Sequence, residues 1–384
     1  MDATVWAQSV GPGDRGQMFD SLRAAVLRER KFAGDRDLCA VIRFDGHGGS
    51  MQRFAFSRAV KRVYGDTVHV VDIGTRTGAM VDFDQVTGQD EVAVLRMPPA
   101  AYDELLPVLC VLFDIVYHAM YVVKGFARDP ELQGQLDTYL DTSGLRPIYD
   151  GMPQSLNALG EIGLSQWDLM SASSGIEVTP EDMYLPLDVL PVGEMGKYLT
   201  GDAGCGGSTR ASLNGVGRYV VVHNTPGARA VTKAIPFDTM QAAIDVLADH
   251  GLRAVQVGTK AETRYKNVVD RRGLRWPLTA QVMQGAAFLL GLEGGLAYMA
   301  HCTRTPAVIL FGCTPPPVFG FEGNTNVCMN RCPSCFWGWP GWHAKCIREK
   351  QNPAYPFCEN MPTVDEIGDI VNLACIRHAE RMVA

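Results

Sequence analysis

The sequence has neither a long apolar run nor a block of like charges. No apolar stretch among its 384 residues reaches the roughly 20 residues that cross a bilayer, and residues 1–34 lack the apolar segment of a signal peptide. Charged residues make up 20% of the chain, the net charge is −7, and no basic tract offers a surface for nucleic acid or anionic lipid. We therefore expect a cytoplasmic protein that neither spans a membrane nor binds nucleic acid.

The sequence does contain regular alternation of strand and helix patterns. Hydrophobic residues form 47% of the chain, which is enough for two cores. In the first half, the pattern predicts a helix at 15–31, a strand at 37–43, a helix ending near 64, strands at 68–73 and 91–97, a helix at 102–109 and a strand at 113–119. Strands that alternate with helices indicate a parallel, doubly wound sheet.

A stretch rich in glycine and proline at 185–217 interrupts this alternation. Beyond it, the pattern predicts a strand at 219–223, a helix at 237–250, a strand at 252–257, a strand–turn–helix–strand unit at 286–312 and a last helix from about 364. The sequence therefore predicts two Rossmann-like domains, 1–200 and 201–384, the second of which includes a Cys-rich segment at 324–360.

The unit at 286–312 is a candidate phosphate site. Its first apolar run ends in Glu293-Gly294-Gly295, and a helix with apolar periodicity follows from Leu296. A glycine turn at a helix N-terminus presents free N–H groups and the positive end of the helix dipole to an anion. Lys233, in a loop before another predicted helix, could neutralise the same diphosphate. The alternatives are an ordinary buried strand–turn–helix and a solvated surface lysine.

Cysteine is unevenly distributed in this chain. Six of the eleven cysteines are scattered, mostly in apolar surroundings, where a thiol acts as a small core residue; Cys313 is one of these. The other five lie between Cys328 and Cys358, and without an export signal such a cluster favours metal over disulfides. Four thiolates suit tetrahedral zinc or iron. The expected ligands are Cys332, Cys335, Cys346 and Cys358, with Cys328 as a substitute for one of them and His343 as a weaker alternative.

Several of these motifs together resemble the ADP-heptose-type glycosyltransferases of family 9. The resemblance rests on Thr232-Lys233-Ala-Ile-Pro236, on Glu293-Gly-Gly-Leu-Ala-Tyr-Met-Ala300, on Pro306-Ala-Val-Ile-Leu-Phe-Gly-Cys-Thr314, and on the N-terminal Ile42-Arg-Phe-Asp-Gly-His-Gly-Gly49. It implies a GT-B fold, in which two Rossmann-like domains face each other across a cleft. It also implies inverting transfer of a sugar from a nucleotide-diphosphate donor, ADP-heptose or a related nucleotide sugar.

The resemblance also implies roles for individual residues. Those expected to bind the donor are Gly48, Gly49, Thr232, Lys233, Gly258, Glu293, Gly294, Gly295 and Leu296. Lys233 and the 293–295 turn would hold the diphosphate, Glu293 would face the sugar hydroxyls, and Gly258 would lie beside the base. Lys233 would also assist catalysis by stabilising the leaving group.

The sequence departs from the family at the general base. Many members carry an aspartate near the end of the first glycine loop, where this chain has Gly49. Asp45 and His47 are the local substitutes, with Asp45 preferred. The alternative is that Asp45 caps the turn and that His47 is simply exposed.

The Cys-rich segment resembles the iron finger of the bacterial autotransporter adhesin heptosyltransferases. This resemblance implies one structural metal ion, iron or zinc, held by four cysteines and without a catalytic role. Cys328-x-x-x-Cys332-x-x-Cys335 also has the spacing of the iron–sulfur motif of radical S-adenosylmethionine enzymes. In those enzymes, however, the motif follows the first strand of a barrel.

Taken together, the sequence predicts a glycosyltransferase whose partners are an ADP-sugar and an acceptor. The acceptor is left open among an adhesin protein, a saccharide and a small molecule, and the resemblance makes a homo-oligomer plausible. Two alternatives stay open: a non-catalytic relative that binds a nucleotide sugar, and a GT-B-like epimerase that acts on the nucleotide sugar itself.

Overall fold

The structure is a computed structural model with two compact units. The first unit comprises residues 1–152 and 166–186, and the second comprises 153–165 and 187–384. The structure describes residues 15–43, 47–75, 93–97, 102–152, 154–185, 218–225, 231–339, 341–343, 345, 346, 348 and 357–378. The domain boundary predicted at residue 200 lies outside these residues and stays a prediction. Among the described helices, none is long and apolar enough to cross a membrane.

The first unit is built on a five-stranded sheet with the order β3-β2-β1-β4-β5. Its strands are β1 (Asp37–Arg43), β2 (Val68–Thr75), β3 (Ala93–Met97), β4 (Ile115–Ala119) and β5 (Val123–Ala127). Its helices, numbered along the whole chain, are α1 (Arg15–Ala33), α2 (His47–Tyr64), α3 (Tyr102–Leu112), α4 (Pro130–Thr142), α5 (Arg146–Asp150) and α7 (Gln166–Ser174).

The expectation of a purely parallel sheet is wrong for the fifth strand of this unit. β1 is parallel to both β2 and β4, but β5 runs antiparallel to β4. Only three residues connect β4 to β5, and a parallel pairing needs a crossover of a dozen residues or more.

The middle of the first unit combines an apolar core with a buried ion pair. The apolar run of β1 is buried, as is typical of a central parallel strand covered on both faces. On the neighbouring strand, the Asp72 carboxylate accepts hydrogen bonds from Arg53 Nε, 2.7 Å from both oxygens, and from Ser57 Oγ at 3.2 Å. Asp72 and Arg53 are 0% and 1% exposed, so each charge depends on the other for its compensation.

The second unit contains a six-stranded parallel sheet with the order β11-β10-β9-β6-β7-β8. Its strands are β6 (Tyr219–Val222), β7 (Arg253–Gln256), β8 (Val268–Asp270), β9 (Leu289–Leu292), β10 (Ala307–Leu310) and β11 (Thr325–Val327). Its helices are α6 (Leu159–Ile162), α8 (Phe237–Asp249), α9 (Trp276–Gln284), α10 (Gly295–Cys302), α11 (Pro316–Phe319) and α12 (Val364–Arg377).

This strand order is the Rossmann order, with β6 as the first strand and β9 as the fourth. The chain builds outward from β6 in one direction through β7 and β8, and then in the other through β9, β10 and β11. The direction reverses between β6 and β9, and ligands of open α/β sheets bind at such a switch point, beyond the carboxyl ends of the strands. The topology therefore directs attention to the loops that follow β6 and β9.

The last helix, α12, begins at the capping box that the sequence predicts. Thr363 Oγ1 accepts from Glu366 N at 3.4 Å, and the Glu366 carboxylate accepts from Thr363 N at 2.8 Å. Hydrogen bonds from Arg331 and from Thr363 lower the pKa of Glu366 to about 2. α12 packs against α8 and closes one face of the second unit.

We expect Thr363→Ala to destabilise the second unit by about 1 kcal/mol, because the first turn of α12 loses its side-chain acceptor. Chemical denaturation would measure this change. Val364→Ala is the control, since Val364 is 48% exposed and its truncation should cost less than about 0.5 kcal/mol. Equal losses in both variants would show that the cap contributes nothing.

Candidate functional site in the second unit

The loops at the switch point bring Lys233 and Glu293 together. Lys233 ends a short 3-10 turn, 231–233, between β6 and α8, and Glu293 directly follows β9. Lys233 Nζ donates a hydrogen bond to Glu293 Oε2 and forms an ion pair with it. The two side chains are only 15% and 7% exposed, so Lys233 is not the solvated surface lysine of the alternative interpretation.

The loop that carries Lys233 is fixed at its base by Asn224. Asn224 Oδ1 accepts from Ile235 N at 2.8 Å, and its amide nitrogen donates to Tyr265. The ring of Tyr265 stacks on Phe237 with 4.7 Å between centroids. These contacts hold both sides of the loop and so limit the positions that the lysine backbone can adopt.

The N-terminus of α10 lies next to this ion pair in the chain. Gly294 is the N-cap residue, and within the described residues no side chain caps the helix. Ala297 N and Tyr298 N bond back to Gly294 O at 2.9 and 3.4 Å, which leaves the N–H groups of Gly295 and Leu296 without an intrahelical acceptor. The positive end of the helix dipole adds to the lysine charge, so this corner of the unit favours an anion.

Nothing in the backbone conformation or the packing of the protein requires a glycine at position 294. Its φ of 160° is extended backbone, and a Cβ there would meet only Leu292 Cδ1 at 3.6 Å, an ordinary contact. Gly258, after β7, differs because its φ is +127° and a Cβ would collide with the Glu262 carboxylate. The glycine at 258 thus has a structural reason, whereas the one at 294 has none within the chain.

Sequence reasoning missed Glu262, which lies beside Gly258. Glu262 Oε1 accepts from Thr259 N at 2.7 Å and is 4.0 Å from His223 Nε2, at the end of β6. The side chain of Glu262 is 7% exposed. A carboxylate in the loop after the second strand of a Rossmann unit suits ribose hydroxyls. Its position in the loop after β7 is the signal that could have identified it.

The structure places the four predicted metal ligands near one another, in a loose cluster. Burial raises the pKa of Cys332 and of Cys358, with a smaller contribution from the neighbouring Cys346, and Cys346 and Cys358 also contribute to the raised pKa of Cys335. Among the described residues, no group of three or more such side chains is arranged to hold a metal ion. The cluster therefore has the predicted composition without a coordination geometry.

The sequence analysis did not predict that Cys313 lies beside the Cys-rich segment. It was interpreted as a scattered core cysteine, and it is 1% exposed, but its thiol is hydrogen-bonded to Cys335. That bond and burial raise the pKa of Cys335, while the bond and Lys233 lower the pKa of Cys313. Its location three residues after β10, in a strand-end loop, was the only available signal.

The Cys-rich segment is joined to the strand ends of the sheet by direct hydrogen bonds. Asn360 Nδ2 donates to Cys332 O at 2.9 Å and to Gly312 O at 3.3 Å, and Asn360 Oδ1 accepts from Cys332 N at 3.0 Å. Thr232 Oγ1 donates to Trp342 O at 2.9 Å. Thr232 is 1% exposed, so its hydroxyl is occupied by the Cys-rich segment, and its predicted role in donor binding stays a prediction.

Most of the candidate general-base region lies outside the described residues. This applies to Asp45 and to the side chain of His47 in the first turn of α2, and the burial of Gly48 in that turn is likewise outside the described residues. Gly49 is buried in the same turn, and α2 is the next described element after β1. β1 and β4 form the switch point of the first sheet, so the chain position suits a ligand-binding loop. The assignment of the base to Asp45 or His47 stays a prediction.

Two histidines of the second unit are expected to make its stability pH-dependent. Burial lowers the pKa of His223 and of His301 to about 4, with a further contribution from Arg304 at His301. An unfolded histidine titrates near 6.5, so the unfolded chain binds more protons between pH 6.5 and 4 and stability is lost as the pH falls. Between pH 7 and 5, each histidine should cost about 1–2 kcal/mol.

This pH effect can be measured by denaturation of the native protein and of His301→Phe at pH 7 and pH 5. The His301 ring already stacks on Phe321 at 4.5 Å, so phenylalanine keeps that contact and removes the titration. The variant should lose less stability than the native protein at the lower pH. An identical loss in both would assign the pH dependence to other groups.

The fold resembles those of solved heptosyltransferases. Neither a protein-family model nor a curated protein sequence matches the chain. The iron-containing dodecameric glycosyltransferase TibC from enterotoxigenic E. coli H10407 aligns over 90% of this chain and 77% of its own, with a TM-score of 0.56 and 14% identity. TibC in complex with ADP-D-beta-D-heptose gives 0.53 and 14%, over 91% and 77%.

E. coli ADP-heptose LPS heptosyltransferase II gives a similar result, with a TM-score of 0.52 and 12% identity over 89% of this chain and 99% of its own. At such identities, the likeness establishes the fold. The chain has the α/β fold of these heptosyltransferases, with two units built on largely parallel sheets, and the predicted fold class is confirmed to that extent.

Proposed function

We propose that the protein is an inverting glycosyltransferase that moves a sugar, heptose or a related one, from an ADP-sugar to an acceptor hydroxyl. The observation that carries the proposal is the Lys233–Glu293 pair beside the uncapped N-terminus of α10, at the switch point of a Rossmann sheet. A cation and free N–H groups at one position are what a leaving diphosphate requires.

The donor would bind with its diphosphate between Lys233 and the N–H groups of Gly295 and Leu296. A close approach of phosphate to the backbone gives Gly294 the reason that the protein's own contacts do not supply. The ammonium would then be shared between phosphate oxygens and Glu293, whose carboxylate would face the sugar hydroxyls. The nucleoside would lie towards Gly258, with Glu262 as the acceptor for the ribose hydroxyls.

In the reaction, the acceptor oxygen forms a bond to the anomeric carbon while the bond from that carbon to the diphosphate breaks. Negative charge develops on the departing ADP and is stabilised by Lys233 and the α10 dipole. The proton of the acceptor hydroxyl passes to a general base, assigned to Asp45 or His47. Attack from the face opposite the leaving group inverts the configuration of the anomeric carbon.

We further propose that the Cys-rich segment holds one structural iron or zinc ion through Cys332, Cys335, Cys346 and Cys358. Their clustering supports this set, because four neighbouring thiols suit a soft, tetrahedral cation. Bound there, the metal would cross-link the segment and supply no step of the transfer. TibC is iron-containing and dodecameric, which motivates tests for iron and for a homo-oligomer.

The experiment that tests this function is donor turnover with purified protein and candidate acceptors: an adhesin fragment, a saccharide and a small polyol. Release of ADP that depends on acceptor supports transfer. Isomerisation of the sugar without ADP release would indicate an epimerase, and binding without either reaction would indicate a non-catalytic relative. An assay for the same activity in a cytoplasmic extract would test the expected cytoplasmic location.

A further inference from the structure

Lys233 has a second partner in the second unit, in addition to Glu293. The centroid of the Trp342 ring lies 5.8 Å from Lys233 Nζ, within the range of a cation–π interaction. Trp342 is 6% exposed and the lysine side chain is 15% exposed, so the contact is largely shielded from water. The lysine ammonium is therefore held between a carboxylate and an indole ring.

The indole is held firmly by its own segment. Phe336 packs edge-on against it with 4.9 Å between centroids, and Trp337 contacts it at 5.6 Å. Trp342 N donates to Trp339 O at 3.2 Å, and Trp342 O accepts from the hydroxyl of Thr232, the residue before the lysine. The ring face and the loop that carries Lys233 are thus fixed relative to each other.

The indole nitrogen gives an independent reason to assign a role to this ring. Trp342 Nε1 is buried and has no hydrogen-bond partner in the part of the chain that the structure describes. A buried donor without a partner is destabilising, and phenylalanine would fill much of the same apolar space without it. What tryptophan provides over phenylalanine is the stronger cation–π face.

We propose that Trp342 is a positioning residue for Lys233, so that the Cys-rich segment forms one wall of the donor diphosphate site. This inference rests on the proposed function. The ring attracts the ammonium without accepting a directional hydrogen bond, so the N–H donors of the lysine stay available to phosphate oxygens. A flexible lysine would otherwise lose rotamer freedom when the donor binds, and the ring reduces that loss in advance.

The test compares the affinities of ADP, AMP and adenosine for four proteins by calorimetry: the native protein, Trp342→Leu, Trp342→Phe and Trp339→Leu. We expect Trp342→Leu to weaken ADP binding about three- to thirtyfold, the range of a cation–π contact, with adenosine unaffected. Trp342→Phe should restore part of the ADP affinity and be at least as stable as the native protein. Trp339→Leu is the matched control, because it removes a neighbouring indole whose ring has no contact with Lys233 among those described.

The outcomes separate this inference from the proposed function. Equal weakening of ADP and adenosine in Trp342→Leu, or the same loss in Trp339→Leu, would reduce Trp342 to a packing residue while the proposed function stands. Unchanged ADP affinity in Trp342→Leu would also overturn the inference. If the native protein binds no nucleoside diphosphate, the proposed function fails first and the inference fails with it. Thermal denaturation of each variant shows whether the segment is still folded.

Discussion

Lys233→Ala is expected to lower the turnover of the native donor about 10²–10³-fold, the cost of removing one stabilising donor at a developing negative charge. The loss should fall mainly on kcat, because the ammonium interacts more strongly with the departing diphosphate than with the bound ground state. The fold should persist because Lys233 is part of a loop, but the Glu293 carboxylate, only 7% exposed, loses its counter-charge, so the variant should also be less stable. Steady-state kinetics and circular dichroism measure the two effects.

The matched control for this variant is Lys266→Ala. Lys266 is exposed in the same unit, and its described hydrogen bonds use the backbone, so its loss changes the net charge equally without touching the site. Lys233→Arg should recover only part of the activity, because the planar guanidinium does not reproduce a compact ammonium between Glu293 and Trp342. Unchanged activity of Lys233→Ala would remove this lysine from the site.

If the Cys-rich segment holds the proposed metal ion, Cys335→Ser is expected to lose it and to lower the melting temperature of the protein by about 10 °C. A structural metal contributes several kcal/mol to folding, and each kcal/mol shifts the transition of a unit of this size by about 2–4 °C. Elemental analysis and thermal denaturation of protein purified without chelator measure both quantities. The same protein treated with a chelator should show the same lower transition as the variant.

Two further substitutions define the ligand set. Cys328→Ser and Cys313→Ser should both keep the metal, because neither residue is among the four predicted ligands, although Cys313 contacts Cys335. Loss of metal in Cys328→Ser would show that Cys328 is a ligand in place of one of the four assigned cysteines. A Cys335→Ser protein without metal but with full stability would show that the metal is dispensable.

Several elements of the second unit could be predicted because their signals are local, whereas β8, α9 and β11 were not predicted. The apolar runs of β6, β9 and β10 and the glycine turn after β9 are each contained in a few consecutive residues, and the capping box at Thr363 marks the residue at which α12 begins. The resemblance then ordered these pieces into one known architecture. Strand order and the switch point follow from that architecture rather than from any single pattern.

The sequence pattern did not predict β5, because the turn before β5 has none of the residues that usually mark a hairpin. Met120-Tyr-Val122 connects β4 to β5 without the Gly, Asn or Pro that usually marks a hairpin, so the sequence pattern predicted one strand ending at Ala119. The buried Arg53–Asp72 pair was missed for a related reason. A hydrophobic-periodicity pattern assigns an arginine to the solvent face of a helix, and only the position of Asp72 on the neighbouring strand explains its burial.

The residues of the site are brought together by contacts between distant parts of the chain, which no local sequence pattern predicts. Thr232 and Trp342 are 110 residues apart in the chain, and their hydrogen bond joins the lysine loop to the Cys-rich segment. Cys313 and Cys335 are brought together in the same way. The sequence analysis treated the Lys233 loop and the Cys-rich segment as separate features, and the fold places them in contact.

The most direct test of the central claim is a thermal-shift comparison of ADP with AMP on the native protein and on Lys233→Ala. Saturating ADP at about 100 times its dissociation constant should stabilise the native protein by about 2.7 kcal/mol, a rise of several degrees in melting temperature. AMP should give a clearly smaller rise at the same concentration, and Lys233→Ala should lose most of the difference between the two nucleotides. Equal shifts for ADP and AMP, or a difference that persists in Lys233→Ala, would contradict a diphosphate site at Lys233 and the α10 N-terminus.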